Sequence, residues 1–220
     1  MSSERLARAI EEGIRLEQAL RWEDAESHYG RSIDAATGAV AEDLTDLRLR
    51  HANALLQLRR VDDARAAFDR ALEGAEAEGN PLVLGRALLG AGVFAASSGD
   101  LPRGEGFLLG ALETFHVTHG PEGVQGEGWA LLNLAAIYGR TQRLDLSFVT
   151  FDKARERLFG VKNWVGVATA WELQGELRER LGDVDRARQD FHEAMSFYAK
   201  EGMAEKVEQL RQRLGGRPVV

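Results

Sequence analysis

A motif of twelve residues occurs twice in the chain, and this repetition limits the possible folds more than any other feature of the sequence. VDDARAAFDRAL begins at Val61, and VDRARQDFHEAM begins at Val184. The two copies keep Val, Asp, Ala, Arg, Phe and Ala in register at a separation of 123 residues. Three steps of about 41 residues fit that separation, and this is a repeat length typical of stacked structural units. The chain is therefore expected to be a repeat protein with further copies between these two.

Apolar residues return at intervals of three and four along the chain, and the alternation typical of strands is scarce. This pattern predicts an all-α fold. Glycine and proline interrupt the pattern in the segments GNP at 79, GDLP at 99, HGP at 119, GVKN at 160 and GD at 182. We expect helices of roughly 12 to 20 residues that end at these segments and form antiparallel pairs. Pro81, Pro102 and Pro121 are expected in first helical turns, where a missing N–H costs nothing.

Composition excludes several classes of protein. The formal net charge is −7 and the basic residues do not cluster, which argues against a nucleic-acid partner. Cysteine is absent, so no disulfide or thiolate site is expected, as is common in reducing compartments. The first residues are too charged for a signal peptide, and the longest uncharged run, from Ala87 to Gly99, is too short to cross a bilayer. We expect a cytoplasmic protein that does not bind a membrane.

Five copies of the unit are recognisable when each is aligned on a small residue early in its second helix. These residues are Ala25, Ala64, Gly104, Ser147 and Ala187, at steps of 39, 40, 43 and 40. A large residue follows four positions later in each copy, at Tyr29, Phe68, Leu108, Phe151 and Phe191. The first helices carry small residues at Gly13, Ala52, Gly92, Ala135 and Gly175. Small residues let two helix backbones approach, and the large residue fills the space beside them.

The last copy, WELQGELRERLGDVDRARQDFHEA, resembles the tetratricopeptide repeat (TPR) family. Its Trp171, Gly175, Gly182, Ala187, Phe191 and Ala194 stand at that family's signature spacings. Gln174 and Arg178 depart from the usual Leu and aromatic residue. The steps are longer than the family's usual repeat, so the chain is similar to its longer-repeat members.

The resemblance implies a right-handed superhelical solenoid of antiparallel helix pairs. Five pairs and a C-terminal capping helix are expected to form a single solenoid over residues 5–214, followed by a flexible tail over 215–220. The capping helix is predicted by one narrow apolar stripe, formed by Met203, Val207, Leu210 and Leu214.

No motif predicts catalysis, a metal site or a cofactor. His116 and His119 form HxxH, but no third ligand stands at a usable spacing, so a polar pair at a helix end is the favoured interpretation. The glycines of LLGAGVFA at 88 follow no strand and are explained by helix packing. We therefore expect no enzyme and no cofactor.

In the TPR family the first helices of successive pairs line a concave groove that binds peptides. The resemblance places Arg50, Asn53, Gln57, Arg86, Val93, Trp129, Asn133, Arg140, Glu172 and Glu176 on that groove. Arginine and amide side chains in its middle suit carboxylates and peptide backbone, whereas its far end is acidic. Small residues at Gly90, Ala96 and Ser97 are expected to leave room for a ligand, although charged residues on helix surfaces are also ordinary.

Two functions follow from these observations. The first is a non-enzymatic adaptor or scaffold that binds a peptide segment of another protein in its groove. The alternative is a ligand- or peptide-sensing module, of the kind found in bacterial regulators, that acts on a separate partner. Four surplus aromatic residues, Phe107, Phe115, Phe148 and Phe159, either fill space between repeats, which we favour, or mark a homodimer surface.

Overall fold

A computed structural model describes residues 3–36 and 41–215, and within them the protein forms eleven helices and no strand. The helices are α1 Ser3–Gln18, α2 Trp22–Asp34, α3 Ala41–Gln57, α4 Val61–Glu78, α5 Pro81–Ser97, α6 Leu101–His116, α7 Pro121–Arg140, α8 Leu144–Gly160, α9 Trp164–Arg180, α10 Val184–Lys200 and α11 Ala204–Gly215. The prediction of an all-α chain of paired helices is confirmed. Most of the predicted tail, residues 216–220, lies outside the described residues.

The turn between the two helices of each pair has the same conformation in all five pairs. Its left-handed residue is Leu20, Arg59, Gly99, Gln142 or Gly182, with φ between 56° and 93°. In each turn the next N–H donates to a carbonyl five positions earlier, as from Asp183 to Arg178 O at 3.0 Å. This bond satisfies a carbonyl that the end of the helix leaves free, and it closes the turn tightly enough to reverse the chain.

The segments where glycine and proline interrupt the helical pattern also contain residues that cap the helices that follow. Asn80, Asp100, Asn163 and Asp183 each precede a helix, and each side-chain oxygen accepts a hydrogen bond from an N–H of the first turn. Such caps stabilise a helix by about 1 kcal/mol because they satisfy donors without an intrahelical partner. Prolines occupy the first turns of α5, α6 and α7, as expected.

The helices pack into two compact units, Met1–Val117 and Thr118–Val220. In the first unit each helix packs on the next along the chain, and the first helices α1, α3 and α5 also pack on one another in turn. Its buried residues include the repeat's large residues Tyr29, Phe68 and Leu108, each no more than 2% exposed. The second unit repeats this arrangement with α7 to α11, and Phe151 and Phe191 are buried there. A single solenoid across both units remains a prediction.

Close helix contact explains the small residues of the first helices. A Cβ built on Gly92 would lie 2.7 Å from Leu108 Cγ and 3.2 Å from Gly104 O. A Cβ on Gly175 would lie 2.8 Å from Phe191 Cε1. In each case the large residue of the second helix occupies the space that a side chain would need, so the predicted packing is confirmed at these positions.

The capping helix α11 packs on α10, and the predicted stripe points into the core. Leu210 is buried, and Met203, Val207 and Leu214 pack against the same cluster as Phe191 and Tyr198. Met203 lies one residue before the helix, which begins at Ala204. Most of the other α11 side chains are exposed, as expected for a helix covered on one side only.

Candidate binding surface

We call the surface that the first helices of the pairs form within a unit its first-helix face; in the first unit these helices are α1, α3 and α5. Arg50 lies on this face, on α3, and its guanidinium group is paired with two carboxylates. Its Nη1 lies 3.4 Å from Glu17 Oε2 on α1, and its Nε lies 3.2 Å from Asp46 Oδ2. Burial lowers the pKa of Arg50, but the two carboxylates more than offset this and hold the pKa above its ordinary value. Glu17 also accepts a hydrogen bond from Tyr29 Oη at 2.7 Å, and burial together with this bond raises the pKa of the tyrosine. Arg50 therefore joins α1 to α3.

Four other predicted residues of this unit lie on the surface of α3 and α5, two first helices that pack together. Asn53, Gln57, Arg86 and Val93 are all exposed. They offer two amides, one guanidinium group and one apolar side chain to an incoming chain. This part of the predicted surface is accessible.

The expectation that Gly90 leaves room for a ligand is corrected by the structure. A Cβ there would lie 3.2 Å from Leu49 Cδ2 and 3.2 Å from Phe68 Cε1. The missing side chain therefore makes room for the packing of α5 against α3 and α4.

In the second unit the mid-helix amide of Asn133 is used within its own helix. Its Nδ2 donates to the carbonyl oxygen of Trp129 at 2.8 Å. Trp129 itself is half-buried and packs against the core around Phe151. Both residues thus contribute to the local structure of α7.

A cleft of about 190 Å³ lies between the first helices α7 and α9. It is lined by Ala136, Gly139, Arg140, Phe151, Leu173, Glu176, Leu177 and Arg180. The cleft brings together Arg140 and Glu176, which were both predicted, with Arg180, which was not. Arg180 stands one helical turn after Glu176, so the same positional argument extended by one turn would have found it. Its exposed guanidinium group forms no ion pair within the described part of the chain.

The acidic end of the predicted groove is largely neutralised by α11. Glu172 accepts a hydrogen bond from Tyr198 Oη at 2.6 Å and pairs with Lys206 Nζ at 3.2 Å. Arg213 pairs with Glu176 at 2.8 Å and with Glu179 at 2.7 Å. The carboxylates predicted at this end are therefore paired with two basic residues of the cap.

The two departures from the TPR signature belong to one buried polar network. Gln174 Nε2 donates to Asp190 Oδ2 at 3.2 Å, and Arg178 Nη1 lies 2.6 Å from Asp190 Oδ1. Arg155 of α8 donates to Gln174 Oε1 at 3.0 Å and pairs with Asp152. Burial raises the pKa of Asp190, although Arg178, Gln174 and Arg155 each lower it. Gln174 and Arg178 of α9 therefore stabilise Asp190, a buried aspartate that the repeat pattern does not contain.

The surplus aromatic residues have different environments. Phe115 is buried against Gly85, and Phe148 is half-buried in the core of the second unit beneath the guanidinium group of Arg178. Both fill space, as favoured. Phe107 is half-buried beside Arg103, whereas Phe159 is 56% exposed. Phe159 is therefore the most exposed of the four.

The described residues contain neither a membrane-spanning helix nor a metal-binding cluster. Among them no helix is long and apolar enough to cross a membrane. The same residues contain no group of three His, Asp or Glu side chains that could hold a metal ion. His116 is the last residue of α6 and His119 lies in the turn that follows, so the HxxH pair does not share a helix.

No family model matches the sequence, and no curated protein sequence matches it. Solved structures do. PlcR from Bacillus thuringiensis, solved in complex with the peptide PapR7 and DNA, superposes with a TM-score of 0.75 at 15% identity, over 94% of this chain and 74% of PlcR. BtubC (BKLC) from P. vanneervenii gives 0.67 at 18% identity over 90% of both chains. Nearly identical TPR-like repeats of a protein described as a Podosopora anserina kinesin light chain give 0.60 at 13% identity, over 90% of this chain and 97% of that one.

Proposed function

The chain has a TPR-like fold, and on that premise we propose that it is a non-enzymatic adaptor that binds a peptide segment of another protein on its first-helix face. The observation that carries the proposal is the cleft between α7 and α9. Arg140 and Arg180 lie beside a floor built from Leu173 and Leu177, and of these two arginines Arg180 forms no ion pair within the described residues. The one carboxylate in the lining, that of Glu176, is already paired with Arg213.

The chemistry of this cleft suits an acidic group beside an apolar one. A guanidinium group binds a carboxylate through two parallel hydrogen bonds, and burial of an adjacent apolar side chain adds affinity. We therefore propose that the bound segment carries an Asp, a Glu or a C-terminal carboxylate next to an aliphatic residue. The first unit, taken by itself, also presents exposed donors suited to peptide carbonyls and acidic side chains, at Asn53, Gln57 and Arg86.

The test measures binding of short fluorescent peptides of Leu and Asp by anisotropy, with peptides of Leu and Asn as the uncharged comparison. Wild type should bind the acidic peptide more tightly. Arg140→Ala/Arg180→Ala should weaken this binding by about tenfold or more, because charged interface contacts are worth roughly 1–3 kcal/mol. Arg186→Ala, which removes an exposed arginine of α10 paired only with nearby Asp183, is the matched control and should change nothing. Equal affinity of the double variant and wild type, with unchanged thermal stability, would contradict the proposal.

A regulatory module that senses a peptide is the second candidate. It is supported by the structural similarity to PlcR, which was solved with a bound peptide and superposes on 94% of this chain. Such a module changes shape when it binds, whereas an adaptor does not. The radius of gyration of the chain, measured by X-ray scattering with and without the acidic peptide, distinguishes the two. PlcR was also solved with DNA, so the expectation that this chain binds no nucleic acid rests only on its net charge of −7 and the scatter of its basic residues.

A further inference from the structure

The second unit has another cleft, with a volume of about 410 Å³. It lies between the second helices α8 and α10, and residues of α9 also line it. Its lining residues are Arg155, Glu156, Phe159, Gly160, Val167, Trp171, Glu193 and Phe197. None of them belongs to the first-helix surface described above. We call it the aromatic cleft. It contains Phe159, the most exposed of the four surplus aromatic residues.

The aromatic side chains of this region contact one another and form a fixed surface. The ring of Trp164 lies 5.0 Å from that of Phe159, edge to face, and 6.0 Å from that of Phe197, stacked. Arg155 lies 3.8 Å from the centroid of the Trp171 ring. Rings held in this way lose little conformational entropy when a ligand binds, and aromatic residues are enriched where partners dock.

The repeat does not require an aromatic residue at the position of Phe197, whereas Trp171 stands at a signature position. In the first unit the position equivalent to Trp171 is Arg48, and the position equivalent to Phe197 is Gly74. A cleft also lies there between α2 and α4, and it is lined mainly by polar residues. Because the same helix packing forms with Gly at the position of Phe197, this aromatic side chain is an addition to the repeat.

The charge of the aromatic cleft indicates what binds in it. Glu156 on α8 and Glu193 on α10 are exposed, and neither forms an ion pair within residues 3–36 and 41–215. Arg155, in contrast, is occupied by Asp152 and by the Trp171 ring. The cleft therefore combines apolar walls with two free carboxylates on opposite sides.

We propose that the aromatic cleft is a second protein-binding site and that it binds a basic amphipathic segment of a partner. An apolar side chain of the segment lies between Phe159 and Phe197, and a Lys or Arg about one helical turn away pairs with Glu156 or Glu193. Buried aromatic contacts supply affinity, and the carboxylates select a basic segment over an acidic one. This site is independent of the acidic-peptide site proposed for the first-helix face.

The experiment titrates the full chain with a short peptide of Leu and Arg, in which each Arg lies one helical turn from a Leu. Indole N–H resonances of the four tryptophans report the location of binding. Trp164 and Trp171 should shift with saturation, whereas Trp22 and Trp129 should not. Two peptides of matched length, with Glu in place of Arg or Ser in place of Leu, should cause no saturable shift.

Variants then test the two parts of the site. Phe159→Ala should weaken binding about tenfold, a typical loss for a contact residue of moderate importance. Because this side chain is 56% exposed, the variant should fold. Glu156→Gln/Glu193→Gln should weaken binding of the basic peptide and remove the preference over the acidic one. Leu109→Ala is the control, because Leu109 is another exposed apolar residue, 41% exposed and on α6, and this variant should bind as wild type does.

Three outcomes would overturn the proposal. The first is that the resonances of Trp164 and Trp171 stay fixed up to millimolar concentrations of the basic peptide. The second is an equal response to the acidic peptide. The third is a concentration-dependent dimer that Phe159→Ala abolishes, because the cleft would then bind a second copy of this chain.

Discussion

The buried network around Asp190 allows a quantitative prediction, made with the substitution Arg178→Met. The methionine keeps most of the apolar stem of the arginine and removes its charge. Asp190 is 2% exposed and lies 2.6 Å from Arg178 Nη1. Removing one partner of a buried ion pair costs about 3–5 kcal/mol, because the other charge stays buried. Since Gln174 and Arg155 still stabilise the carboxylate, we expect the lower end, about 3 kcal/mol at pH 7.

The pH dependence of this loss follows from the pKa of Asp190. Burial raises this pKa in the folded protein, and losing Arg178 removes an effect that lowers it, so the pKa of the variant is higher still. A carboxyl group whose pKa is raised by folding is best tolerated when protonated. Its full contribution to stability is present below the ordinary pKa and is lost as the pH rises through the raised pKa. The deficit of the variant relative to wild type should therefore shrink on acidification, by about 1.4 kcal/mol for each unit of difference between the two folded pKa values.

The assay is urea unfolding at a series of pH values from about 7 down to about 4, because the pKa of Asp190 is raised above the ordinary aspartate value of about 3.9. Tryptophan fluorescence reports mainly on the second unit, which holds Trp129, Trp164 and Trp171. Arg186→Met is the control, because its side chain is 70% exposed and its loss should change the free energy of unfolding by less than about 0.5 kcal/mol. A deficit that stays the same across this pH range would refute the reasoning, since Asp190 would then remain ionised without its partner.

Four further substitutions test the packing and the cap. Gly92→Ala should lower the free energy of unfolding by about 1–3 kcal/mol because its methyl group would overlap Leu108, whereas Gly106→Ala should raise it by about 0.5–1 kcal/mol because nothing lies within 4 Å of its Cβ. Both are measured by urea unfolding, and equal effects would contradict the packing argument. Arg213→Ala should speed amide hydrogen exchange in α11 by several fold while leaving α7 unchanged, because it removes two ion pairs to α9. Arg211→Ala, which removes only a pair within α11, should not.

Helix positions were predictable because their signals are local. Proline, glycine and capping residues act within one turn of the chain, and the five breaks they predict all separate helices in the structure. The turn geometry was only partly predictable. Gly99 and Gly182 mark the left-handed position, but Leu20, Arg59 and Gln142 adopt the same conformation without any sequence signal. Packing of the flanking helices imposes it on residues that disfavour it.

The binding surface was less predictable than the fold, because position on a helix does not reveal what a side chain contacts. Arg50 and Glu172 stand at the predicted groove positions, yet each is paired with a charge on a neighbouring helix. Those partners, Glu17 and Lys206, lie more than 30 residues away in the sequence. The sequence alone does not distinguish a charged residue that pairs within the fold from one that is available to bind a ligand.

These two kinds of residue differ in the structure. A residue that departs from the repeat pattern either interacts with another residue that explains its presence or has no such partner. Gln174 and Arg178 depart from the signature, and Asp190 accounts for both. Phe159 and Glu156 have no such account: Phe159 is 56% exposed although its ring contacts Trp164, and Glu156 forms no ion pair within the described residues. Exposed apolar surface also favours non-specific association, so it is costly to keep without a use. A partner that covers the ring and pairs with the carboxylate supplies that use, and for this reason the aromatic cleft is the surface whose substitutions should separate binding from stability most cleanly.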